Sequence, residues 1–198
     1  QKLSDKFTDE CFKNKKSMTI NQEKFLILNT EYLILYLALH FFHHNFRGAY
    51  RLEFLDKLIR KAVSVTSPRR SHGFSSFSLP PSEVFLRLTE KILDYKLQNF
   101  VYPVFILLKK YYPVNIPQDF LESIKPNTNN LKYIRNNILN INIFDAEPRI
   151  KAGTTRFKNL FYLSPNPLWK KLLIILNPAV LYSIFWVLIK RLINIKPK

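Results

Sequence analysis

Between Tyr32 and Phe42 the only polar residue is His40. A helix that is apolar on every side has no face to offer to water, so other elements must surround it. The sequence therefore places this segment in the middle of a helical core. It predicts a helix capped at Asn29 or Thr30, with Glu31 in a first turn where negative charge suits the helix dipole, running to about Asn45. Gly48 breaks it. The apolar run Phe25-Leu26-Ile27-Leu28 predicts one short strand at residues 25–28.

The rest of the chain reads as more helices around that one. A second helix over about 49–65 sets Leu52, Leu55, Leu58, Ile59 and Ala62 on one face and Arg51, Glu53, Lys57, Arg60 and Lys61 largely on the other. Helices follow at 82–97, capped by Ser82, and at 100–112, with Pro103 in its first turn. A short one that starts at Ile116-Pro117-Gln118-Asp119 and reaches about Ile124 stops before Pro126, weaker periodicity covers 128–142, and three further helices are expected over about 151–162, 168–176 and 179–195. The expected fold is an all-α helical bundle of seven to nine helices with one short strand. Residues 1–24, polar and lysine-rich, are expected to be a linker or the edge of a missing N-terminal domain. Residues 25–163 form the helical domain, with a serine- and proline-rich mobile loop over 64–81, and 164–198 form an apolar helical tail.

Composition removes several function classes. One cysteine, Cys11, among 198 residues excludes a disulfide framework and any Cys-rich metal site. Three well-separated glycines, Gly48, Gly73 and Gly153, exclude glycine-rich phosphate loops. The 31 lysines and arginines against 14 acidic residues, a formal +17, favour anionic partners. They are spread along the chain, however, and lysine, Asn, Ile and Phe are the residues an AT-rich genome enriches. No RNP, zinc-finger or helix-turn-helix signature is legible, so nucleic acid is not an expected partner. The chain begins at Gln1 and its one methionine is Met18, so a longer protein is expected.

An ordered set of short motifs carries a resemblance. Leu28-Asn29-Thr30-Glu31, the run Leu33 to His40, His43 and His44, and then Arg51-Leu52-Glu53-Phe54-Leu55-Asp56 are followed by Phe100 to Tyr112, Val114-Asn115-Ile116-Pro117 and Ile124-Lys125-Pro126. Over residues 25–127 this resembles the helical C-terminal part of the uncharacterised bacterial nucleotidyltransferase family. In that family a polymerase-β-type catalytic head precedes a leucine-rich helix with histidines and an R-L-x-x-L-x-D helix. The resemblance implies a helical part that covers the cleft and contributes to acceptor binding. The head, with magnesium and a nucleoside triphosphate, would transfer a nucleotidyl group to an unknown acceptor, and the expected partner is an unknown anionic substrate or acceptor. Asp56 stands one place earlier than the family aspartate, Lys57 holds the expected position, and the serine-rich loop and Glu83-Val84-Phe85 replace a family Trp. No Gly-Ser dipeptide occurs here, so no catalytic residue and no cofactor is assigned to this chain.

The candidate residues divide by chemistry. His40 and His44 share a helix face, and Asp56 on the next helix could complete a two-histidine, one-carboxylate metal site or accept an imidazole N–H that ties two helices together. The structural tie is preferred for His40, His44, Arg51 and Asp56, and no metal is assigned. Asp145 and Glu147 read as turn residues before Pro148, and Cys11 as incidental. Arg69 and Arg70, beside His72, are candidates for an anion.

Leu172 to Ile189 is apolar except for Asn177, Pro178 and Ser183, with Lys170, Lys171, Lys190 and Arg191 at its ends. A buried hairpin arm is the first reading, because proline and asparagine would leave backbone groups unsatisfied in a bilayer. A monotopic contact with an anionic membrane through Trp169, Leu181, Phe185 and Trp186 is the second, and a true span the third. The expected location is cytoplasmic, at most peripheral to the inner membrane.

Overall fold

The computed structural model describes residues 2–64, 81–146 and 148–176, together with Pro178, Tyr182, Phe185 and Ile189. Among them are nine helices and one hairpin: α1 (Lys2–Lys13), β1 (Lys15–Ile20), β2 (Glu23–Leu28), α2 (Thr30–His43), α3 (Ala49–Ser64), α4 (Pro81–Asp94), α5 (Gln98–Tyr111), α6 (Gln118–Ser123), α7 (Thr128–Asn137), α8 (Arg149–Leu163) and α9 (Leu168–Ile175). The fold is an all-α bundle with a single two-stranded antiparallel sheet. The chain divides into two compact units, Gln1–Leu163 and Ser164–Lys198.

In the first unit α2 packs against α3, α4 and α5, the central position that its apolar circumference dictates. Ile34, Leu35, Ala38 and Phe41 are fully buried there, with Leu52, Leu55 and Ile59 of α3, Leu88 and Ile92 of α4 and Phe105, Leu107 and Leu108 of α5. Phe120 of α6 closes one side against Phe85 and Phe105, with ring centres 4.9 Å apart in each pair. α5 is buried along nearly its whole length. It begins two residues earlier than expected, so Pro103 falls in its second turn, where it removes one helical N–H donor. Glu31 stands in the first turn of α2, as expected. Asn29 sits at the cap position, but its side chain makes no capping hydrogen bond.

Residues 2–13 are not a linker. They form α1, which buries Phe7 and Cys11 in the bundle core. The lysine-rich surface of α1 hides this docking in the sequence: Glu10 accepts hydrogen bonds from the Tyr32 hydroxyl at 3.1 Å and from Tyr95, and the Lys91 ammonium lies 4.3 Å from the centre of the Tyr32 ring. The expected single strand is the second half of a hairpin in which Met18 faces Phe25 and Ser17 faces Leu26. Its turn is set by Asn21 and Gln22, both at positive φ (49° and 69°), as a tight two-residue hairpin connection requires. Of the loop expected over 64–81, Ser64 ends α3 and Pro81 begins α4, and residues 65–80, with Arg69 and Arg70, lie outside the described residues.

Candidate functional site

The connection from α2 to α3 is unusually constrained. The His44 N–H donates to the carbonyls of His40 and Phe41, at 3.2 and 3.1 Å. Asn45, Phe46 and Gly48 then adopt φ of 54°, 58° and 95°. A phenylalanine in the left-handed region is strained and persists only where its surroundings over-determine it. Phe46 is completely buried, edge-on to Phe41 with centres 6.1 Å apart, and its N–H donates to the Phe41 carbonyl at 3.0 Å.

Four hydrogen bonds tie this turn to the distant second half of the unit. The Asn45 side-chain amide donates to the Ala152 carbonyl at 2.9 Å, and the Gly48 N–H donates to the Ile143 carbonyl at 2.9 Å. The Arg47 guanidinium donates to the carbonyls of Asn142 and Asp145 at 3.4 and 3.3 Å. A groove of about 490 Å³ results, walled by His44, Arg47, Tyr50, Arg51, Phe144 and Arg156, with Asp145 at one edge.

Its electrostatics are one-sided. The Nε atoms of Arg47, Arg51 and Arg156 are all buried without a hydrogen-bond partner. Among the described residues none of the three guanidinium groups is in an ion pair, and the Asp145 carboxylate accepts from the Asn142 amide at 3.0 Å. Burial holds the His44 imidazole below its ordinary range, and Arg51, His40, His43 and Arg156 push it the same way. Three guanidinium groups thus line the groove with one imidazole and the Asp145 carboxylate, and guanidinium groups match the oxygens of a phosphate or carboxylate. Gly48 is part of this geometry: a Cβ on it would overlap the Arg51 guanidinium.

The expected residues separate. His44 and Arg51 reach the groove. His40 stacks on Tyr36 at 6.1 Å and meets His44 edge-on at 4.7 Å. Asp56 forms no hydrogen bond or ion pair with either histidine; the Arg60 Nε, one turn along α3, donates to both its oxygens at 2.9 Å. The helix-to-helix tie expected through Asp56 is therefore replaced by a pair within one helix. Among the described residues no three His, Cys, Asp or Glu side chains gather as a metal set. Glu147, Leu181 and Trp186 lie outside the described residues, whereas Trp169 and Phe185 are exposed at 59% and 60%.

Sequence reasoning missed Arg47, Arg156, Tyr50 and Phe144. Arg47-Gly48-Ala49-Tyr50-Arg51, two arginines around a helix-starting glycine, is the one local signal that could have pointed here. A second groove, of about 460 Å³, lies between α2 and α3 and shares Tyr50 and Arg51 with the first. His40, Phe54 and Lys57 also line it. No protein-family model, curated protein or solved structure matches the chain.

Proposed function

We propose that this chain is the ligand-binding helical part of a nucleotidyltransferase-type protein, and that its own task is to hold a phosphate-bearing ligand in the groove between α2, α3 and α8. The observation that carries the reading is the convergence of Arg47, Arg51 and Arg156 on one cavity without a carboxylate partner among the described residues. Two residues of the resembling motif set, His44 and Arg51, stand in that cavity. In this reading magnesium, nucleoside triphosphate and the transfer step belong to a catalytic head, and this chain contributes binding and orientation.

Titration of the full chain with inorganic pyrophosphate tests the binding. Saturable binding that Arg51→Gln and Arg156→Gln each weaken about tenfold supports it, as expected for loss of a charge-assisted bond. Absence of binding overturns it. The transferase assignment is tested separately by the coding DNA before the Gln1 codon, where a continuing frame with a Gly-Ser turn and D-x-D supports it and a stop codon or an unrelated segment ends it.

A second reading, a basic module peripheral to the cytoplasmic face of a membrane, is favoured by the second unit. Leu168, Trp169, Leu176, Tyr182 and Phe185 are all exposed there, near Lys170 and Lys171. No helix among the described residues is long and apolar enough to cross a membrane, so the contact would be interfacial. Flotation with phosphatidylserine vesicles, lost when Leu181 and Phe185 are changed to Asp, is the expected result. No flotation of the unaltered chain would end this reading.

A further inference from the structure

The two grooves are not independent, because Tyr50 and Arg51 line both. Together they make one track across the first unit, lined by aromatic rings and cations, with the Glu53 carboxylate, ion-paired to Lys57 at 2.6 Å, in the second groove and Asp145 in the first. Phe54 lines only the second groove, Tyr50 and Arg51 line both, with the Arg51 guanidinium 4.3 Å from the centre of the Tyr50 ring, and Arg47, Phe144 and Arg156 line the first. Its aromatic rings are unusually bare: Phe54, Tyr50 and Phe144 are exposed at 56%, 63% and 68%. Large apolar side chains this exposed, grouped beside guanidinium groups that form no ion pair among the described residues, make a contact surface rather than scattered surface residues. Phe54 and Tyr50 are four residues apart on α3, about 6 Å along the axis, so their rings project from the same side as successive platforms.

We propose that this track binds a single-stranded nucleic acid without reading its sequence, and that this strand is the anionic ligand of the module. The inference rests on the proposed anion groove and adds the chemical class of what enters it. Single strands are held by positive grooves that follow the backbone and by aromatic faces on which unpaired bases stack. A simple phosphate or carboxylate ligand would leave the rings of Phe54, Tyr50 and Phe144 unused, and a duplex hides the base faces they would stack on. Such binding needs no recognition motif in the sequence, which is why none is legible. The track exists only once α2, α3, the 143–146 turn and α8 are brought together.

Fluorescence anisotropy of the full chain with fluorescein-labelled 20-mers of uridylate and thymidylate, beside a 20-base-pair duplex and unlabelled pyrophosphate, tests the proposal. Expected are tighter binding of both single strands than of duplex, and a log–log salt slope near −2, as three neutralised phosphates on a single strand give. Phe54→Ala, which touches only the second groove, should weaken the single strands about tenfold and leave pyrophosphate unchanged. Arg51→Gln should weaken both. Equal binding of duplex and single strand with no effect of Phe54→Ala would reduce the interaction to bulk charge and overturn the proposal. So would oligomer binding insensitive to Arg51→Gln. Pyrophosphate binding without oligomer binding would sink this inference and leave the anion groove standing, and binding of neither would remove both.

Discussion

The Arg51 guanidinium lies 4.3 Å from the centre of the Tyr50 ring, its neighbour in the first turn of α3. Consecutive helical residues ordinarily diverge by about 100°. Here the arginine folds back over the helix start, its Nη1 reaching the Arg47 carbonyl at 3.5 Å, in space left open by the missing Cβ of Gly48. The ring screens one face of a cation that also lines the groove.

Gly48→Ala should therefore act twice. The alanine would have to hold φ near 95° and would displace the Arg51 guanidinium. Urea unfolding should show a loss of about 1–3 kcal/mol, and pyrophosphate affinity measured on the fraction that remains folded should fall. Unchanged affinity would show that Arg51 is not positioned by this glycine.

Phe46→Ala removes the buried ring that holds a left-handed backbone in place. A cost of about 3–5 kcal/mol in thermal or urea unfolding is expected for a fully buried phenylalanine, partly relieved by a smaller side chain at positive φ. A cost below 1 kcal/mol would mean that the turn is held by Asn45 and Gly48 alone.

His44 provides the pH dependence. Its imidazole is depressed in the folded protein, so the unfolded chain takes up this proton more readily. Stability from this group is then present above the ordinary histidine range, about pH 6.5, and is lost as pH falls below it. His43 adds in the same direction, its depression caused by burial, Arg156 and His40. The melting temperature should fall between pH 7 and 5, and less steeply in His44→Gln. A pyrophosphate anion should raise the His44 titration midpoint in NMR, and an unmoved midpoint would place the anion elsewhere.

The docking of α1 can be read through Cys11. Burial pushes this thiol up, with the Glu10 charge adding to the effect, and Tyr95 donates to Glu10 at the same junction. Tyr95→Phe should speed native-state thiol labelling and hydrogen exchange in Lys2–Lys13 on the order of tenfold, as loss of one charged hydrogen bond predicts. Rates unchanged in the variant would show that Phe7 packing alone holds the helix.

Much of the bundle was legible because its signals are local. The apolar Tyr32–Phe42 segment, Gly48 and the Pro126 stop each mark an element without reference to the rest of the chain. α1 was not, because its docking rests on two buried side chains, Phe7 and Cys11, among lysines and acids that read as solvated. β1 escaped for a related reason: Lys15, Lys16, Ser17 and Thr19 carry no apolar alternation, and the strand is defined by the partner it meets. The groove was half legible. His44 and Arg51 stood out in the α2–α3 motif, whereas Arg156 reaches them only through tertiary contacts that no spacing encodes.

The hydrogen bond from Asn45 to Ala152 joins residues 107 positions apart, and this sets an order of events. As the chain emerges from a ribosome, α2 and α3 can pair long before α8 exists, so the arginines of their connection first appear without their wall. Closing so long a loop is entropically disfavoured until the intervening helices have condensed, and contacts of this range form late. Competence to hold a ligand should therefore arrive after the bundle rather than with it. A half-made chain would expose its basic surface to the anions around it without yet having a place to keep one.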